Sequence, residues 1–162
     1  MPLTLEQAAE MASRMHKVLE GRRTEIQLRE DYFKGKHPLR YASAEWQKFH
    51  GQRFDGFADN WCGVVASSPA ERQGIVGFRI GEDLDAMSDD ERDLWRDWQL
   101  NDMDAQQAGG LLVSSWAGRS FVSVWGTPSG EPRIRWEDPR EVIVAYDPET
   151  RDRVASDRKS VV

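Results

Sequence analysis

Acidic side chains make the densest chemistry-bearing cluster in this sequence: Asp83, Asp85, Asp89, Asp90 and Glu91. Carboxylates at such spacing suggest calcium, but a helix–loop–helix calcium site counted from Asp83 needs Gly sixth and Glu twelfth. Ser88 and Leu94 stand there instead. The cluster suits the positive end of a helix dipole, with Ser88 and Glu91 placed as a capping box. His16, His37 and His50 are too far apart for a two-histidine helical zinc motif. Cys62 is the only cysteine, which excludes an internal disulfide or a multi-cysteine metal site. It follows Trp61 on an apolar run, with no flanking cation to activate it as a nucleophile. Gly109-Gly110 lacks the Lys-Ser/Thr of a phosphate loop, and Gly74 and Gly77 open a strand-like run. Carboxylate pairs for glycoside cleavage are defined by spatial separation, so 28 acidic residues identify none of them. The residue types therefore assign no catalytic, cofactor or metal site, and the expected protein is not an enzyme.

What remains are the tryptophans, seven in all. Trp95 and Trp98 are three residues apart, hence neighbours on one helical face. Trp61, Trp95, Trp98, Trp116 and Trp125 are the candidates for core or interface. Exposed tryptophans could also stack on a sugar or a base.

The elements that must position them read as helices followed by strands. Residues 4–33 form a long amphipathic helix, capped by Thr4 and Gln7, with Leu5, Ala8, Ala12, Met15, Leu19, Ile26 and Phe33 at helical spacing. Gly21 permits a bend or break. Lys34-Gly35-Lys36-His37-Pro38 is a turn. A second helix is expected over 44–66 behind Ser43, with Trp46, Phe54, Phe57, Trp61, Val64 and Val65 on one stripe and Pro69 ending or kinking it. Gly74–Ile80 reads as a short strand. Ser88 opens a long helix to about 116, whose buried face is Leu94, Trp98, Ala105, Ala108 and Leu112. Gly109-Gly110 marks a kink or a close helix crossing. From 119 the period becomes strand-like: 121–125, 133–136, 142–146 and the start of a fourth strand at 151–155, separated by Pro- and Gly-bearing turns. The expected fold class is α+β: long amphipathic helices (4–116), then a small antiparallel β meander (119–155), in one region spanning 1–162.

Bulk properties fit one ordered domain. The chain has 162 residues, 39% hydrophobic and 31% charged, and could bury roughly 70% of its unfolded surface. A net charge of −6 argues against gripping duplex DNA by phosphate neutralisation. Neither a signal-peptide core nor an apolar run of about 20 residues is present.

Several segments, in this order and spacing, resemble the N-terminal part of portal proteins from long-tailed phages, especially those of actinobacterial hosts. They are Tyr32-Phe33-Lys34-Gly35-Lys36-His37-Pro38-Leu39, then Asn60-Trp61-Cys62 through Gly77-Phe78-Arg79, and Leu94-Trp95 through Asp104. Gly118 through Trp125 and Glu137-Asp138-Pro139 through Asp147-Pro148-Glu149-Thr150 complete the set. The resemblance implies the peripheral wing of a structural subunit in a dodecameric ring at one capsid vertex. It implies a virion protein, made in the bacterial cytoplasm, that contacts copies of itself, the capsid and scaffold proteins, the terminase large subunit and the head–tail connector. Double-stranded DNA would pass through the ring during packaging and ejection without sequence-specific binding. No cofactor and no membrane are implied. Portal proteins run on into clip, stem and crown regions. This chain is therefore expected to be either a wing fragment or the product of a broken frame, as in a decaying prophage. A small tryptophan-rich binding or adaptor module, or a non-functional prophage remnant, is the competing expectation.

Overall fold

The computed structural model describes residues 4–36, 43–50, 59–80 and 87–158, without the side chains of Gln47 and His50. His37, Phe54, Phe57, Asp83 and Asp85 lie outside the described residues. Helix α1 (Leu5–Phe33) starts as the sequence predicts: Thr4 accepts from the Gln7 N–H, and the Gln7 side chain returns the bond. Gly21 does not break it: the helix runs through Gly21 without interruption. No neighbour lies within 4 Å of where its Cβ would be, so its cost is only its weak helix propensity. Of the predicted stripe only Met15, Leu19 and Ile26 are buried, while Leu5 is 90% exposed. The reason is coverage. The elements packed on α1 are β3, α3 and α5, which leave its first turns uncovered. The helix stops at Gly35, which takes φ +71° so that the Lys36 N–H can reach the Asp31 carbonyl at 2.6 Å.

The expected helix over 44–66 is not one element. Helix α2 (Ala44–His50) begins behind Ser43, whose hydroxyl accepts from the Trp46 N–H. Helix α3 (Trp61–Ala70) starts afresh at a new N-cap, Asn60. The Asn60 side chain accepts from the Gly63 N–H and donates to the Phe33 carbonyl, both at 2.9 Å, and so fastens α3 to the end of α1. Pro69 sits inside the last turn of α3. The predicted strand at 74–80 is also absent. Side chains satisfy its backbone where a partner strand would have: Ile75 N–H donates to Gln107 Oε1 and Ile80 N–H to Glu91 Oε1.

The long helix expected from Ser88 is two helices. Ser88 and Glu91 do form the capping box of α4 (Asp89–Leu100), but the chain turns at Asn101-Asp102 before α5 (Met103–Ala117). Asp102 adopts φ 53°, a left-handed conformation that Asp tolerates better than most residues. Because α5 is re-aimed, the predicted face is mostly uncovered. Trp98 is buried and Leu112 half-buried, but Leu94, Ala105 and Ala108 are exposed. Met103, at the new start, is fully buried. Gly110 marks the close approach of a strand and not of a helix: a Cβ there would overlap the indole of Trp136.

Four strands follow: β1 (Phe121–Gly126), β2 (Pro132–Glu137), β3 (Val142–Tyr146) and β4 (Arg153–Arg158). They pair as two antiparallel hairpins, β1–β2 and β3–β4, so the fold is α+β with the meander divided at Asp138–Glu141. The first hairpin turns through Thr127-Pro128-Ser129-Gly130, with Gly130 at φ +87°. Glu137 links the hairpins, accepting from the Ser123 hydroxyl at 2.7 Å and pairing with Arg158 at 3.2 Å. Met15 and Leu19 pack on Ile143, with Met11, Ala145 and Ala155 around them, to form the core between α1 and the second hairpin.

Candidate functional site

Two aromatic assemblies emerge from this framework. The first lies on α4. Trp98 is 5% exposed; its ring meets Phe78 edge-on at 5.5 Å and stacks with Trp95 at 6.5 Å. Its indole N–H donates to Asp104 at 2.9 Å, across the turn between α4 and α5. Phe78 is held there because Glu91 grips the segment containing it. The Glu91 carboxylate, 1% exposed, accepts from Ile80 N–H and Ser88 N–H and lies 3.5 Å from Arg79. These backbone donors, Ile80 first and then Ser88, hold its carboxyl below the usual range against the opposing effect of burial. Asn101 completes the joint. Its amide donates to the carbonyls of Asp97 and Pro132 and accepts from the Ile134 N–H, so the outer edge of β2 is hydrogen-bonded to the turn.

The second assembly is open. An apolar groove of about 630 Å³ runs between α1, α3 and α5, lined chiefly by Leu28, Phe33, Trp61, Val65 and Trp116, with Cys62 at its side. Trp116 stacks on Phe33 at 6.0 Å. Trp61, Val64 and Val65 are 69%, 58% and 71% exposed. Their i, i+3, i+4 spacing puts them on one face of α3. The groove's walls are pinned by Asn60 at one end and by Arg29 at the other, where Arg29 donates to the Ala117 carbonyl at 2.8 Å and caps α5. Ser115 donates to the Ala66 carbonyl, tying α5 to α3.

A polar clamp joins α1 to the turn between hairpins. Arg140 pairs with Glu30 at 2.8 Å and with Asp138, while Arg23 donates to the Arg140 carbonyl. The Glu30 carboxyl is lowered first by its hydrogen bond from Lys34, then by Arg140. Burial works against ionisation of Asp138, yet the hydrogen bonds and charge of Arg140 outweigh it and lower that carboxyl too.

The five candidate tryptophans therefore do not gather into one core. Trp95 and Trp98 share an assembly; Trp116 and Trp61 line the groove; Trp125 is 44% exposed on β1, beside Asn101 and Arg133. Sequence reasoning missed Trp136, Phe78, Met103 and the bridging Asn101. The Gly110–Trp136 contact had one visible signal, a glycine inside a helix; Asn101 had none. Among the described residues no three His, Cys, Asp or Glu side chains group as a metal site. His16 lies near Glu20 on the exposed face of α1, and Cys62 is exposed. The arrangement offers packing surfaces and polar clamps; its open chemistry is apolar binding.

Comparison with known proteins agrees with that character. The family described as phage portal protein, SPP1 Gp6-like, matches residues 15–156. A stretch of 88 residues is 36% identical to the portal protein of Mycobacterium phage D29 and 37% identical to that of Mycobacterium phage L5. The match covers 54% of this chain and 17% of each relative, so the chain spans about a sixth of the length of these curated relatives. A match over most of the chain settles its membership: this protein belongs to the phage portal protein family, SPP1 Gp6-like.

Proposed function

We propose that this chain is the peripheral, wing-like part of a phage portal subunit, a structural and not a catalytic element. It works in a ring at a capsid vertex through which DNA is packaged and ejected. The match over residues 15–156 carries this reading. The groove between α1, α3 and α5 supports it, because an apolar face this open on a charged protein calls for a partner. We assign that face to the rest of the portal polypeptide, since the relatives hold most of their length outside the matched stretch. The net charge of −6 suits a conduit wall that must not hold DNA by phosphate neutralisation. The partners in this reading are other portal subunits, capsid and scaffold proteins, the terminase large subunit and the head–tail connector. Its place is the virion.

The test is a chimera in which residues 15–156 replace the corresponding region of the D29 portal protein. Rings with a central opening, seen by electron microscopy and native mass spectrometry, are the expected outcome. A chimera that folds but stays monomeric would contradict the proposal. The groove itself favours one alternative, a tryptophan-rich binding module. That reading requires Trp61 fluorescence to respond to a peptide or oligosaccharide in the isolated chain, and a Trp61→Ala variant to lose the response.

A further inference from the structure

Residues 73–80 run between α3 and α4 as a strap that pairs with no described strand. Ile75 and Phe78 are half-buried and the rest is exposed, Val76 at 91%. Its fastenings are spread along its length. Near the start, the Ile75 N–H donates to Gln107 Oε1 on α5 at 2.7 Å. At the far end the Ile80 N–H donates to Glu91 Oε1 on α4 at 2.6 Å. Between them the Phe78 ring lies 5.5 Å from that of Trp98 and 6.1 Å from that of Trp95. The helices beneath have ties of their own. Glu91 Oε2 accepts from the Ser88 N–H, the Trp98 indole donates to Asp104, and Asn101 bonds to β2. None of those bonds involves the strap.

We propose that residues 73–80 are a lid that lifts from α4 and α5 as one unit, with the helices still folded, and uncovers Trp95 and Trp98 as a stacked aromatic face. A segment with little buried apolar surface and an exposed backbone opens locally, at a lower free energy than global unfolding. Its fastenings act together, because ordering the chain for one lowers the entropy cost of making the next. Gly74, with no neighbour within 4 Å of its Cβ position, lets that end swing. The aromatic face is hidden by a neighbouring segment of the same chain, so the lid controls its exposure independently of any ring.

Native-state hydrogen exchange at low urea, followed by NMR, reads the opening directly. Ile75 and Ile80 are expected to exchange through one opening with little urea dependence, because it exposes little surface. Amides inside α5 and the Trp98 indole N–H are expected to need a larger, urea-dependent opening. The effect of one end upon the other decides between lifting and fraying. Glu91→Gln keeps a capping-box residue for α4, but an amide has one acceptor oxygen where the carboxylate has two. Serving Ser88, it leaves Ile80 unpaired. That variant is expected to speed exchange at Ile75 about tenfold, and Gln107→Leu to do the same at Ile80. Phe78→Ala is expected to speed both by at least about tenfold and leave α5 unchanged. Gln107 is half-buried on α5, so its variant carries the test if Glu91→Gln fails to fold. Ends that respond only to their own variant overturn the proposal, since the segment then frays and does not lift. Strap amides that share the urea dependence of α5 overturn it too, as does a Trp98 indole that exchanges together with the strap.

Discussion

Trp98 and Trp61 are the same residue type on two helices, yet one is 5% exposed and the other 69%. Around Trp98 the chain supplies its own cover. Phe78 is delivered by a segment that Glu91 holds, Trp95 stacks alongside, and Asp104 takes the indole proton. Around Trp61 the local order is equally well fixed, since Asn60, Arg29 and Ser115 pin all three helices, but nothing described closes over Val64 and Val65. A pinned scaffold with an uncovered apolar face fits the interface proposed above, and a covered one is a core. The difference in exposure lies in what surrounds each ring.

The sharpest way to break this contrast is to truncate both rings. Trp98→Ala is expected to cost about 3–5 kcal/mol, whereas Trp61→Ala should cost under about 0.5 kcal/mol. Urea unfolding midpoints of the two variants measure it, and equal losses would erase the distinction. Next in size is a pair of neighbouring glycines. Gly110→Ala drives a methyl into the Trp136 ring and is expected to cost about 1–3 kcal/mol. Gly109→Ala, with nothing within 4 Å, is expected to stabilise by up to about 1 kcal/mol through helix propensity. Thermal melts that rank these two the other way would show that β2 does not lie against α5. Asn101→Ala leaves Pro132 and Ile134 without their partners, an expected loss of about 1–2 kcal/mol, with faster hydrogen exchange at Ile134.

The smallest effect concerns pH. Glu30 and Asp138 are depressed below their ordinary values of 4.5 and 3.8. The unfolded chain thus binds protons first on acidification. The clamp's contribution is complete above those ordinary values and is lost as pH falls through the depressed ones. Arg140→Met should flatten that acid-side slope in stability measured against pH, and an unchanged slope would remove the clamp from the account.

Much of the architecture was legible because it is written locally. Both capping boxes, the hairpin turns and the four strands follow from side chains within a few residues of where they act. The errors share a different cause, long-range hydrogen bonding. The segment 74–80 carries a strand's residue types, but Gln107 and Glu91 take the backbone donors that a neighbouring strand would have used. The division of the long helix at Asn101-Asp102 depends on Asn101 bonding to β2, about thirty residues onward, and no helical period announces that. Of the candidate site, the tryptophans were visible as a class. Which of them is covered was not, because burial is decided by elements distant in sequence.

The most direct test of the central claim uses the chain's single cysteine. Cys62 lies beside the open groove and is exposed, so alkylation in the isolated chain, followed by mass spectrometry of its peptide, should proceed at the rate of a free thiol. In the full-length chimera with the D29 portal protein the rest of the polypeptide should cover it, slowing alkylation at least about tenfold. Equal rates in the two settings would contradict the assignment of this face as a portal interface.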